Sequence, residues 1–271
     1  MKTAASNTTS TPGYSAGELM VAKAAREIRN GDMVFVGMRL PMLAFAVAKR
    51  THAPGAIGLF ENGVIRETPA RELLYTMADP PNIRGATLAG TMLDVMGFLE
   101  QGRVSVGFLG AAEVDRFGNL NTTLVRGEGR NVRLPGSGGA CDIACMAQQT
   151  IVLLEHSKTR LVERVSYITS PGFGTGGGGR EAYWNWRTSQ GLRMHTGPGA
   201  VVTTMGVLVF DGDTGEAFLS SVHPGVRREH VVSNTGWPLK VSPAVSVTEP
   251  PTAEELAAIR ELDPDGFWTG A

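Results

Sequence analysis

Between Met33 and Glu61 the chain spells a strand, a helix and a second strand in succession, and this limits the fold more than any other feature. Met33-Val34-Phe35-Val36-Gly37 is an apolar run of strand length. Pro41 suits the first turn of a helix, which the spacing predicts over Met42 to Arg50. The stretch Gly55 to Ile65 supplies a second strand through Ile57, Leu59 and Phe60, then the turn-forming pair Asn62-Gly63. Such a unit implies an α/β fold with a parallel sheet and a right-handed crossover. Ligands of open parallel sheets gather at the carboxyl ends of the strands.

Glu61 falls at such an end. It is held from behind by the strand and is open in front. One reading is a turn glutamate in water. The other is a nucleophile, because carboxylates form covalent acyl intermediates in some enzymes. The residues alone leave both open.

The flanking segments have clear punctuation. Residues 1 to 14 are rich in Ser, Thr, Asn and Gly and read as a mobile tail, which leaves 15–271 as one domain. Ser15 with Glu18 forms a capping box for a helix to about Asn30, closed by Gly31. Helix is expected again from Gly90 to Gln101, from Asp142 to Gln149, and from Thr252 to Leu262. Strands are expected over Val104–Leu109, Leu120–Val125, Thr150–Leu154 and Val165–Thr169. Val201–Asp211 and Glu216–Val222 should form a hairpin around Asp213-Thr214-Gly215. Asp115 to Asn119 reads as a tight turn.

Thirty-five glycines in 271 residues, without a collagen period, call for many tight turns or close backbone approaches. Pro135-Gly136-Ser137-Gly138-Gly139-Ala140 is the most pointed cluster, a glycine-rich turn feeding a helix. Its free N–H groups suit a phosphate or a transient oxyanion, and sterics alone is the competing reading. Gly172 to Gly177 matches G-x-G-x-x-G only formally. Ser170-Pro171 breaks the strand before it, and Gly178-Gly179-Arg180 stand where a helix should open, so a flexible loop or lid is expected instead.

Other chemistry is excluded or weak. A net charge of −1, from 25 basic and 26 acidic residues, carries no polybasic footprint for nucleic acid or membrane. Two cysteines and no secretory leader point to the cytoplasm. Cys141 and Cys145 share a helical face but lack a second Cys/His pair for a metal, and read as small core residues. The five histidines are dispersed, with no H-E-x-x-H, and no G-x-S-x-G elbow is present. The carboxylates near Asp213 lack the length of a calcium loop. Arg66, Arg84 and Arg180 are candidates for pairing a substrate carboxylate, each against the simpler role of a surface arginine.

Taken in order, several segments resemble the B subunit of family I CoA-transferases, most closely the glutaconate CoA-transferase branch. They are NGDMVFVGMRLPMLAFAVAKR from Asn30 to Arg50, Phe60-Glu61-Asn62-Gly63, FLGAAEVDRFGNLN from Phe108 to Asn121, and GSGGA from Gly136 to Ala140. Ser170-Pro171-Gly172 with Gly178-Gly179-Arg180-Glu181, and Ser221-Val222-His223-Pro224-Gly225, complete the set, which spans roughly residues 15 to 265. The resemblance implies an open, mainly parallel sheet flanked by helices, the NagB/RpiA/CoA-transferase-like fold. It implies that Glu61 is the acyl-accepting nucleophile, with backbone donors at Gly138 and Gly139. Asn62, Gly63, Ser137 and Arg180 become candidate substrate or CoA contacts. No cofactor is held permanently, and a coenzyme A thioester is the substrate.

It also implies ping-pong transfer of CoA to a small, perhaps dicarboxylic, acid through a glutamyl-CoA thioester. An A subunit should complete the site in a heterotetramer or larger assembly. Cys141 departs from the asparagine usual after GSGGA in that branch. The alternatives are an acyl-CoA or ring-opening hydrolase on the same scaffold, and a non-catalytic ligand sensor.

Overall fold

The computed structural model describes residues 13–127, 129–175, 178–193 and 196–270. Most of the tail, the glycines at 176 and 177 where a lid was expected, and His195 lie outside the described residues.

The chain begins with α1 (Ala16–Ala25), β1 (Met33–Phe35), α2 (Leu40–Arg50), β2 (Ile57–Phe60), β3 (Val64–Arg66), α3 (Pro80–Ile83), β4 (Leu88–Ala89) and α4 (Met92–Glu100). It continues through β5 (Val106–Leu109), β6 (Glu113–Asp115), β7 (Leu120–Asn121), β8 (Leu124–Arg126), β9 (Asn131–Arg133), α5 (Ala140–Met146), β10 (Gln149–Leu154) and β11 (Leu161–Val162). Last come α6 (Gly179–Ser189), β12 (Pro198–Thr203), β13 (Gly206–Phe210), β14 (Ala217–Val222), α7 (Arg228–Ser233), β15 (Lys240–Val247) and α8 (Ala253–Leu262).

Ten strands form one sheet in the order β15-β14-β13-β12-β10-β5-β1-β2-β3-β4. Its centre, from β12 to β2, is parallel throughout, and antiparallel strands extend both sides. The predicted βαβ unit is its middle: Met33, Val34 and Phe35 pair with Ile57, Gly58 and Leu59. Alternate side chains feed two cores. Val34, Phe60 and Phe108 join α1, α2 and α8 on one face. Phe35, Leu59 and Leu109 join α4 and α5 on the other. This three-layer arrangement buries both faces of the parallel strands, which explains their continuous apolar runs.

Local chemistry sets the element ends. The Ser15 hydroxyl accepts from Glu18 N–H at 3.1 Å, and Glu18 Oε2 accepts from Ser15 N–H at 2.7 Å, a complete capping box. Thr252 and Glu255 repeat it for α8. In β2, a Cβ on Gly58 would lie 2.6 Å from the Phe45 ring, so only glycine lets α2 pack this closely on the strand.

Several expected elements are corrected. The first helix stops at Ala25, because the backbone tightens to i→i+3 bonds and His52 Nε2 sits 3.1 and 3.0 Å from the carbonyls of Ala25 and Ile28. The Leu120–Val125 run splits because Asn121 Oδ1 accepts from the N–H groups of Thr123 and Leu124, turning the chain. Val165–Thr169 is not a strand: Ser166 N–H is drawn instead to the buried Glu113 carboxylate at 2.8 Å. The run from Val201 breaks after Thr203, whose hydroxyl accepts from Met205 and Gly206 N–H and donates to Gly206 O, making a hairpin of β12 and β13. A helix does open at Gly179, entered through Gly178 and Gly179 at φ +81° and +71°. The helix at GSGGA starts two residues earlier than expected, at Ala140.

Candidate active site

Glu61 follows the last residue of β2 and begins the turn into β3. Three features fix that turn. Gly63 N–H donates to Phe60 O at 2.9 Å. Gly63 adopts φ +99°, and a Cβ there would sit 2.5 Å from Gly90 O. Asn62 Nδ2 donates to Met77 O at 3.0 Å, tying the turn to the loop before α3. Glu61 therefore leaves a rigid strand at a defined angle, half-buried.

The glycine-rich loop reaches the same point from a distant part of the chain. Gly139 N–H donates to Glu61 Oε1 at 2.9 Å. Thr122 clamps the loop: its carbonyl accepts from Gly136 N–H and its hydroxyl donates to Gly136 O, both at 2.8 Å. Thr169 Oγ1 in turn accepts from Thr122 N–H at 2.9 Å. Ser137 Oγ accepts from Cys141 N–H, in the first turn of α5, at 3.1 Å. Gly138 is exposed at φ +49°, and among the described residues its amide makes no hydrogen bond. A Cβ on Gly139 would lie 3.1 Å from Glu61 Oε1 and 3.3 Å from Met96 Cε, so the space behind the carboxylate is filled.

The structure thus brings Glu61, Gly138 and Gly139 together. Asn62, Gly63 and Ser137 surround them, but Gly63 is buried against Gly90 and Thr91, and Ser137 Oγ already accepts from Cys141 N–H. Arg180 is not brought there. It lies where α6 meets the turn after β13, five places along the sheet from β2 and at the opposite strand edge. Its guanidinium stacks over Phe173 and Trp184, and burial lowers its pKa. Arg66 is a buried hub donating to the carbonyls of Thr68, Pro81 and Arg84, so it has no fork free for a substrate, and Arg84 is exposed opposite Glu72 at 3.5 Å. Thr122, Thr169 and Met96 were not marked by any sequence motif; their contacts arise only when the chain closes.

Cys141 and Cys145 are free thiols on α5. Burial, reinforced by the neighbouring Cys141, pushes the Cys145 thiol up to about 11, which leaves it inert as a nucleophile at neutral pH. Among the described residues no cluster of His, Cys, Asp and Glu has the makeup of a metal site, and no helix is long and apolar enough to cross a membrane.

A cleft of about 580 Å³ opens at the carboxyl ends of β1, β5 and β10, the edge of the sheet on which Glu61 also lies. Gly37, Arg39, Gly110 and Glu155 line it, and Trp268 closes one side.

The coenzyme A transferase family model matches residues 18–234 of the chain. The B subunit of the 3-oxoadipate CoA-transferase of Pseudomonas knackmussii is 38% identical over 258 residues, covering 92% of this chain and 94% of that protein. The B subunit of the glutaconate CoA-transferase of Acidaminococcus fermentans is 33% identical over 262 residues, covering 93% of each. The crystal structure of glutaconate coenzyme A-transferase from that organism superposes with a TM-score of 0.84 at 30% identity, over 95% of this chain and 98% of that one. The decarboxylase AibA/AibB follows at 0.78 and 29% identity, over 94% and 97%.

Proposed function

The chain belongs to the coenzyme A transferase family, as its B subunit, and we propose that it moves CoA between carboxylic acids through a covalent adduct on Glu61. The observation that carries this reading is the 2.9 Å hydrogen bond from Gly139 N–H to Glu61 Oε1 at the end of β2.

The chemistry balances without a general base. A carboxylate oxygen of Glu61 attacks the acyl-CoA carbonyl, the C–S bond breaks, and CoA thiolate leaves a mixed anhydride. The thiolate then attacks Cδ of Glu61, expelling the donor acid as carboxylate and leaving a glutamyl-CoA thioester. The acceptor carboxylate attacks Cδ, and the same two steps run in reverse. Carboxylate and thiolate exchange throughout and no proton moves, so the site needs hydrogen-bond donors at oxyanions. Gly139 N–H already faces Oε1, the oxygen that carries charge when Cδ becomes tetrahedral. The exposed Gly138 N–H is free to meet the oxyanion of the incoming acyl group. One such donor is worth about 3 kcal/mol of barrier in other enzymes.

The relatives are named for 3-oxoadipate and glutaconate, which supports a dicarboxylic substrate. A two-subunit enzyme fits the surface near Glu61. Leu88, Met92 and Leu93 are 44%, 52% and 79% exposed around the strand and helix that pack on Gly63, and an A subunit would cover them.

The test is to incubate the two-subunit complex with acyl-CoA, quench with borohydride and map the modified residue. Reduction at Glu61 is expected, with transfer abolished in Glu61→Gln while the circular dichroism spectrum persists. Modification at any other residue overturns the assignment. Product analysis separates transfer from the hydrolytic alternative: a new acyl-CoA accumulates in the first, free CoA in the second.

A further inference from the structure

Arg39 is the one non-glycine residue with positive φ among the described residues, at φ +70° and ψ −124°. A bulky side chain rarely occupies this region, and such strain persists where the surroundings enforce it, commonly at ligand sites. Arg39 forms the N-terminal cap position of α2 without any side-chain capping bond. Its guanidinium instead lies over the Trp268 ring, 5.1 Å from the centroid.

That ring is a fixed platform. Trp268 Nε1 donates to Leu74 O at 2.9 Å, and its backbone N–H donates to Asp263 Oδ2 at 3.0 Å. Asp263 is itself 1% exposed and also accepts from Phe267 and Thr269 N–H. Stacking on a ring face engages the π cloud and leaves the in-plane N–H fork available. Among the described residues Arg39 has no carboxylate partner and no other side-chain hydrogen bond. Arg160, which shares the cleft, differs: it faces Glu155 at 3.7 Å.

The cleft opens on the same edge of the sheet as Glu61. Val36 N–H donates to Leu59 O at 2.8 Å, so β1 and β2 stay in register to their carboxyl ends. Arg39 and Glu61 lie in the segments that leave the carboxyl ends of these two paired strands, three residues past Val36 and two past Leu59. Resting on the reading of Glu61 as nucleophile, we propose that Arg39 is a specificity-determining residue that binds the second carboxylate of a dicarboxylic substrate while the first reacts at Glu61. A guanidinium fork matches a carboxylate bidentately, and that match favours the diacid over the monoacid of equal length.

The experiment measures kcat/KM of the two-subunit complex for glutarate and for pentanoate as acceptors, with acetyl-CoA as donor. The wild-type complex should prefer glutarate by about tenfold or more, the range of a charge-assisted hydrogen bond. Arg39→Gly should bring the ratio near one through KM for glutarate, and Arg39→Lys should leave part of the preference. Arg39→Gly should melt no lower than wild type, because glycine accepts this φ. A wild-type ratio near one, or an unaltered ratio in both variants, overturns the proposal. Borohydride trapping with acetyl-CoA keeps the two readings apart: an adduct at Glu61 in Arg39→Gly with the preference lost supports both, whereas no adduct in wild type defeats the nucleophile itself.

Discussion

Gly139 and Glu61 are 78 residues apart in sequence, yet the amide of one donates to the carboxylate of the other at 2.9 Å. The contact joins the end of β2 to the entrance of α5, and Leu59 of the strand and Ile143 of the helix share one core. It fixes which way the glutamate leaves its turn. In the proposed reaction it would place a donor at Oε1 before Cδ becomes tetrahedral, the condition under which a donor lowers a barrier most.

Gly139→Ala tests the contact directly. Gly139 has φ −79°, so alanine fits the backbone, but its Cβ would stand 3.1 Å from Glu61 Oε1 and 3.2 Å from Cδ. The carboxylate must shift by a few tenths of an ångström. Turnover should fall about a hundredfold, the loss typical of one misplaced donor. Steady-state kinetics beside a thermal melt checks this, with the midpoint expected within a few degrees of wild type.

Much of the fold was legible because its signals are local. The βαβ unit and the capping boxes of the first and last helices depend on neighbours a few residues apart, and each is present. The Glu61-Asn62-Gly63 turn was legible for the same reason. The errors arise where a single polar side chain or the closure of the chain overrides the apolar pattern. Thr203 and Asn121 turn their own backbones inside apolar runs that otherwise read as single strands. His52 ends α1 from 24 residues away. Arg180 carried a motif match, but its place at the far strand edge follows from the order of ten strands, which no local pattern encodes. The clamp of Thr122 on Gly136 is likewise a product of closure.

Gly63 and Gly31 both have positive φ, at +99° and +87°, but differ in surroundings. A Cβ on Gly63 would meet Gly90 O at 2.5 Å and Thr91 C at 2.6 Å, both backbone atoms, whereas nothing lies within 4 Å of one on Gly31. Gly31→Ala should therefore show only the conformational penalty, about 1 kcal/mol. Gly63→Ala should add steric conflict, lose about 3 kcal/mol or more, and displace Glu61 along with its turn. Urea unfolding of the two variants separates strain from clash.

The capping boxes of α1 and α8 are cross-linked. Glu18 of α1 accepts from Arg260 Nε of α8 at 2.6 Å, and Glu255 of α8 accepts from Arg26 Nε and Nη2 at 2.8 and 2.6 Å. Burial raises the pKa of each glutamate, but the bonds from its arginine and its own cap outweigh this and hold it below the usual range. Arg26→Ala strands a carboxylate that is 4% exposed, and should destabilise by about 2–4 kcal/mol. Glu255→Gln should lose less, since the cap contact survives. Arg260→Ala strands Glu18, which is 1% exposed, and should cost about as much as Arg26→Ala. Urea midpoints of the three variants test that order.

His156 and His223 give the fold a defined acid limit. His156 is 3% exposed, with Nδ1 2.9 Å from Thr203 Oγ1 and Nε2 3.1 Å from Thr235 Oγ1. His223 is equally buried, with Nε2 2.6 Å from Thr203 O. Burial pushes His156 down to about 4, helped by the nearby His223, and lowers His223 in the same sense. The folded protein therefore resists a proton that the unfolded chain takes up near pH 6.5. Stability is full above that value and falls as the pH drops towards 4, by about 3 kcal/mol for His156 alone. Depressed carboxylates such as Glu18 and Glu255 act only below about 4.5, the ordinary range of their unfolded forms, so the windows are distinct. Unfolding free energies at half-unit steps from pH 7.5 to 4.5 should show this slope. His156→Asn, which keeps polar atoms near Thr203 but does not titrate, should be less stable at pH 7.5 and should flatten the slope between pH 6.5 and 4.5. A slope that survives in both His156→Asn and His223→Asn would assign the acid limit to other groups.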